Sequence, residues 1–115
     1  MNVYDQAHSL SRALKESEEY REYMRLKEIA YDDATNSALL DEYKKLQFRL
    51  QAKMASGETL EDDDMQRINQ IGMLLQMNRD TGDYLVAEFR YQRLLADIFR
   101  ILSDASGISP DMFAC

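Results

Sequence analysis

The sequence predicts an all-α fold, an antiparallel helical bundle organised around one long helical hairpin and completed by dimerisation. Chain-breaking residues are scarce, with one proline, Pro110, and four glycines in 115 residues. Apolar residues make up 45% of the chain, and between the breaks they recur at intervals of three and four, the spacing of one helix face. The expectation of a second copy comes from composition. Leu, Ile, Val and Phe supply only 26 of the 115 residues, slightly above the roughly 20% below which highly charged chains tend to stay disordered. Seven Tyr and seven Met must fill much of the buried volume. A phenol wants a hydrogen-bond partner and methionine packs adaptably, which argues against a large dry monomeric core.

The elements follow in order. Val3, Tyr4, Ala7, Leu10, Ser11 and Leu14 form one stripe, giving a first helix from about Val3 to Lys15. Ser17 caps a fresh start, with Glu18 and Glu19 in the first turn, where carboxylates suit the positive end of the helix dipole. Tyr20, Met24, Lys27 and Tyr31 make the face of this second, less apolar helix. Asp32-Asp33 signals another cap, followed by the longest regular stretch, Ala34 to Ala55, whose Leu39, Tyr43, Leu46, Leu50 and Met54 recur along one side. Glu42, Lys45, Arg49 and Lys53 form a second, charged stripe on that helix.

Ser56-Gly57 stops the long helix, and Thr59-Leu60-Glu61-Asp62 resembles a capping box that starts the returning arm of a hairpin. That arm carries Met65, Ile68, Ile71 and Leu75, with Asp62, Asp63 and Asp64 at its start. Asn78-Arg79-Asp80-Thr81-Gly82 reads as a further break before the most apolar helix, Tyr84 to Ser106. Ala87, Tyr91, Leu94, Ile98, Ile101 and Ala105 line one face of it, and Leu85, Phe89, Leu95, Phe99 and Leu102 widen that face. Gly107 ends the helix and residues 107–115 form a short tail. A chain of this length fits a single helical domain, residues 1–106.

Charge and cysteine usage narrow the function. A net charge of −7 and a pI near 4.6 oppose non-specific attraction to nucleic acid or to an anionic membrane. One cysteine, Cys115, leaves no internal disulfide and no cysteine-only metal site within a chain. The N-terminus lacks a basic start and an apolar stretch, and no apolar run approaches a membrane span. A soluble, unprocessed, cytoplasmic protein without a cofactor is the expectation.

No constellation points to catalysis. Asp5 and His8 lie three apart, the spacing used in carboxylate-bridged metal centres, but such centres need two motifs of this kind and further glutamates. With a single His and no serine in a glycine-rich elbow, nucleophilic catalysis lacks its apparatus. The carboxylates sit mainly at helix starts and on polar faces. Glu88, among apolar neighbours, is the one that needs a partner, which Arg90, Arg93 or an arginine of another chain could supply. Gly72 inside a helix is unfavourable by about 1 kcal/mol against alanine, which a close helix crossing or mere tolerance would explain.

An N-terminal Val3-Tyr4-Asp5-x-Ala7-His8-x-Leu10 segment, the Glu16-Ser17-Glu18-Glu19-Tyr20 step, Leu46-Gln47-x-x-Leu50-Gln51, Ser56-Gly57-Glu58 and Ala87-Glu88-x-Arg90 occur in this order over residues 2–106. Together they resemble the YlbF/YmcA family of small helical bacterial proteins, closest to its YheA-like branch. The resemblance implies helical proteins that associate into dimers or larger assemblies in the cytoplasm of Gram-positive bacteria. It also implies adaptor behaviour, with family paralogues and ribonuclease Y as partners and effects on RNA processing, competence, biofilm formation and sporulation. It brings no catalytic residues. Some members carry a cysteine-rich tail associated with iron–sulfur clusters, and a single Cys115 does not reproduce it.

The expected function is therefore that of a non-enzymatic regulatory or adaptor protein that self-associates. Its core or interface candidates are Leu39, Tyr43, Leu46, Leu50, Tyr91, Leu94, Ile98 and Ile101, and Lys45, Arg49 and Lys53 form a docking stripe. Two alternatives are an RNA-binding helical protein that uses the same stripe and a purely structural homo-oligomer.

Overall fold

The computed structural model describes residues 2–108. Five helices occupy nearly all of them: α1 Val3–Glu16, α2 Glu18–Asp32, α3 Ala34–Ser56, α4 Asp62–Met77 and α5 Arg79–Ser106. No strand occurs among the described residues. The part of the expected tail from Ser109 to Cys115 lies outside them, as does Met1.

Local chemistry sets most boundaries. Asn2 opens α1, its side-chain oxygen accepting from the Tyr4 and Asp5 amides at 2.8 and 3.4 Å. Ser17 is the single residue between α1 and α2, with an extended backbone at ψ 150°. Its hydroxyl donates to the Leu14 carbonyl at 2.6 Å and accepts from the Tyr20 amide at 3.2 Å. One side chain thus closes the first helix and opens the second. Asp33 opens α3 by accepting from the Asn36 amide at 2.9 Å. Gly57 closes it at φ +78°, a left-handed conformation natural to glycine, and the Glu58 amide reaches back to the Lys53 carbonyl at 2.9 Å.

Two expected boundaries differ. The capping box at Thr59 does not form, because Glu61 holds the cap position of α4 and makes no side-chain cap bond. Asp62, Asp63 and Asp64 fill the first turn, so the helix dipole is offset by charge instead. The break expected across residues 78–82 shrinks to Asn78, and α5 starts at Arg79 instead of Tyr84. Asn78 accepts from the Asp80 amide at 3.0 Å through its side chain and from the Gly82 amide at 2.8 Å through its carbonyl. One asparagine therefore suffices as the joint, leaving Thr81 and Gly82 within the first turn.

The described residues divide into two compact units, 2–24 with 86–108, and Arg25–Leu85, with the boundaries falling inside α2 and α5. In the second unit α3 and α4 pack as the expected hairpin. Its core is Ala30, Leu40, Leu46, Ile71, Leu75 and Tyr84. Burying each large apolar side chain stabilises the fold by about 1.5–3 kcal/mol. The fully buried polar groups are satisfied. Tyr84 accepts a hydrogen bond from the Lys44 ammonium at 2.7 Å and meets the Tyr31 ring edge-on at 5.6 Å. Thr81 donates to the Leu75 carbonyl at 2.6 Å.

In the first unit Ala87 and Ser103 are buried, and the Ser103 hydroxyl donates to the Ile108 carbonyl beyond the glycine turn at Gly107. Tyr91 of α5 stacks on Tyr23 at 5.0 Å and meets Tyr20 edge-on at 5.5 Å. α1 buries none of its residues.

Candidate interaction surfaces

Helical hairpins leave two flanks beside the line where their arms meet, and here the two flanks differ in chemistry. Along one, α3 and α4 exchange charges. Arg67 grips Glu42 with two parallel hydrogen bonds of 2.7 and 2.8 Å, a fork geometry that holds the Glu42 carboxyl below its ordinary value, chiefly through the hydrogen bond itself. Arg49 lies 3.4 Å from Asp64. Lys53 lies 3.8 Å from Glu61 and 3.9 Å from Asp64. Lys53 and Asp64 are half-buried, while Arg49, Glu61, Arg67 and Glu42 are more open to solvent, which screens their pairing.

The docking stripe read from the sequence is thus divided. Arg49 and Lys53 face the acidic start of α4, while Lys45 is exposed. On the outer side of α3, Lys44, Lys45, Phe48, Arg49 and Ala52 border a shallow hollow of about 580 Å³. Phe48 is 75% exposed at its edge. Sequence reasoning missed this residue, although a phenylalanine standing off the apolar stripe and between Lys45 and Arg49 was a legible signal.

The opposite flank holds a groove lined by uncharged residues. Its volume is about 560 Å³, with Tyr43, Leu50, Met65, Ile68, Gly72 and Met73 as its apolar part. Gln47, Gln51, Asn69 and Gln76 supply amides along the same groove. The Tyr43 ring lies beside the bare backbone of Gly72.

In the other unit, Glu18, Glu19 and Glu22 from the start of α2 and Arg90, Arg93 and Asp97 from α5 line a cleft of about 430 Å³ with Ala87 and Leu94. Tyr91 ionises above its ordinary range, because burial disfavours the phenolate and the neighbouring Tyr20 and Tyr23 disfavour a further negative charge. Glu88 is half-buried and is not left without a partner. Beyond these, Phe89, Phe99, Ile101 and Leu102 of α5 and Val3, Tyr4 and Leu10 of α1 stand exposed.

The core or interface candidates fall into three groups. Leu46 is buried. Leu39, Tyr43, Leu50, Tyr91, Leu94 and Ile98 are half-buried. Ile101 is 66% exposed. Asp5 and His8 are both exposed on α1, and no set of three or more His, Cys, Asp or Glu side chains is placed to hold a metal ion among the described residues. Among those residues, no helix is long and apolar enough to cross a membrane.

Helices, a hairpin with an ion-paired flank and an uncharged groove, and apolar side chains left at the surface define an all-α protein. The chain belongs to the family described as control of competence regulator ComK, YlbF/YmcA, whose model matches residues 3–105. It is 41% identical over 103 residues to a UPF0342 protein of Halothermothrix orenii, covering 89% of this chain and 86% of that one. A UPF0342 protein of Caldicellulosiruptor bescii is 35% identical over 104 residues, covering 90% and 87%. Among solved structures, a protein of unknown function (DUF964) from Bacillus stearothermophilus shares the fold with a TM-score of 0.76 at 20% identity, covering 91% of this chain and 92% of that one.

Proposed function

We propose that this protein is a non-enzymatic, cytoplasmic regulatory adaptor that self-associates and docks acidic segments of partner proteins on the outer side of α3. The carrying observation is Phe48, 75% exposed beside Lys45 and Arg49 in a chain of net charge −7. An apolar anchor set in a small basic patch on an acidic protein selects partners of opposite charge and suppresses contact elsewhere. The family's description as a control on a competence regulator supports a regulatory setting. The resemblance extends the proposal to family paralogues and ribonuclease Y as partners, and to RNA processing and developmental regulation.

Reconstitution with a purified paralogue or with ribonuclease Y tests this reading. Phe48→Ala and Lys45→Glu should each weaken binding at least about 10-fold, the scale of an interface hot spot, with helicity unchanged. Undiminished binding by both variants removes the docking face.

A second reading, direct RNA binding, draws on the same aromatic side chain, because an exposed ring beside cations is a stacking platform for bases. Salt separates the two readings by the steepness of the response. Phosphate contacts release counterions, so RNA affinity must fall steeply as salt rises. RNA binding that is absent, or indifferent to salt, removes this reading.

A further inference from the structure

We infer that the uncharged groove of the α3/α4 hairpin is a two-fold contact between copies of this chain, with Gly72 at the point of closest approach. This inference rests on the self-association reading above and assigns it a place. Three observations carry it.

Charge is the first. In a chain in which 30% of residues are charged, none of the ten residues along this groove is. The cross-hairpin ion pairs, Glu42 with Arg67, Arg49 with Asp64 and Lys53 with Asp64, all lie along the other flank. Two copies of an acidic protein repel each other over most of their surface, so a surface free of charge is where they can meet.

The chemistry of the groove is the second. A two-fold contact places a patch against its own image, which sets like charges face to face wherever the patch carries them. Amides escape this, since each both donates and accepts hydrogen bonds. Gln47, Gln51, Asn69 and Gln76 can therefore pair with their own counterparts, around apolar side chains that include the adaptable Met65 and Met73.

Gly72 is the third. Glycine inside a helix is less favourable than alanine, so a reason for it is owed. Packing within the chain does not supply one. A Cβ at position 72 would meet only the Tyr43 side chain, at 3.5 Å or more, which is ordinary van der Waals contact. The missing side chain leaves the Gly72 backbone bare in the groove wall beside the Tyr43 ring, where a helix of the second copy gains close approach.

Sedimentation equilibrium of the full-length chain, from low to high micromolar concentration, tests the inference. The wild-type chain should be a dimer. Met73→Glu puts new like charges across the two-fold contact and should raise the dimer dissociation constant by roughly 100-fold or more. Gly72→Ala should weaken the dimer while raising the unfolding midpoint of the dissociated chain. That pair of opposite signs is something a merely structural glycine would not give, and it keeps the test valid should Met73→Glu fail to fold. A dimer that ignores both changes overturns the contact assigned here and leaves self-association standing, whereas a wild-type monomer at all concentrations overturns both.

Discussion

Thr81→Val probes the joint between α4 and α5 with almost no change of shape. The Thr81 side chain is fully buried, and its hydroxyl donates to the Leu75 carbonyl at 2.6 Å, with the Asn78 carbonyl at 3.2 Å as a second acceptor. The Leu75 carbonyl belongs to the last turn of α4, where helix geometry leaves acceptors without the usual partners four residues on, while the Asn78 carbonyl also accepts from the Gly82 amide. Valine fills the same volume with a methyl group and leaves the Leu75 oxygen facing apolar surface. Stranding a buried acceptor costs about 1–3 kcal/mol, so a loss near 2 kcal/mol is expected, equal to roughly a 30-fold fall in the folding equilibrium constant. For a chain of this size that corresponds to a drop in melting temperature of about 8 °C. Urea denaturation followed by circular dichroism reads it directly, with Thr81→Ser as the control that keeps the hydroxyl. A valine variant within about 0.5 kcal/mol of wild type, the range of a neutral surface change, would refute the reasoning. So would a serine variant as unstable as valine.

Gly82→Ala should destabilise by about 1 kcal/mol, because a Cβ there would lie 3.2 Å from the Gln76 carbonyl oxygen, a backbone atom that must shift; a stability gain in denaturant titration would contradict it. Glu42 is expected to titrate below 4.5 by NMR in the folded chain. Because its folded value is depressed, the stabilisation from the Arg67 fork is present above that pH and is lost as pH falls below it, and Glu42→Gln should remove that dependence. Tyr91 should ionise above the ordinary tyrosine range in an ultraviolet phenolate titration, since burial and the neighbouring Tyr20 and Tyr23 raise its value above 10.0. The sign is opposite here. The folded chain holds a proton that the unfolded chain releases, so this contribution is full below pH 10.0, declines above it, and should vanish in Tyr91→Phe.

Much of the fold was legible because its signals are local. Ser17, Asp33 and Gly57 act on amides and carbonyls within four residues of themselves, and the structure uses each as the sequence suggests. Ile71 and Leu75 are buried as their spacing implies. Other features depend on distant partners. Leu39 and Leu40 are adjacent and equally apolar, so periodicity could not tell that Leu40 is the one sealed in the core. Tyr84 is fully buried because Lys44, forty residues earlier, supplies a donor to its hydroxyl. The basic stripe on α3 looked continuous from Lys45 to Lys53, and only the register of α4 decides that Asp64 meets Arg49 and Lys53 but leaves Lys45 exposed. Gly72 and Gly82 look alike in sequence, but a Cβ would have room at the first and would crowd a carbonyl at the second.

The adaptor account is tested most directly by co-purification of the tagged full-length chain from its native host at moderate salt, alongside Phe48→Ala. The account predicts that wild-type protein brings down family paralogues or ribonuclease Y, and that the variant, equally helical, loses them. Recovery of the chain with no partner, or of the same partners undiminished by Phe48→Ala, would contradict it.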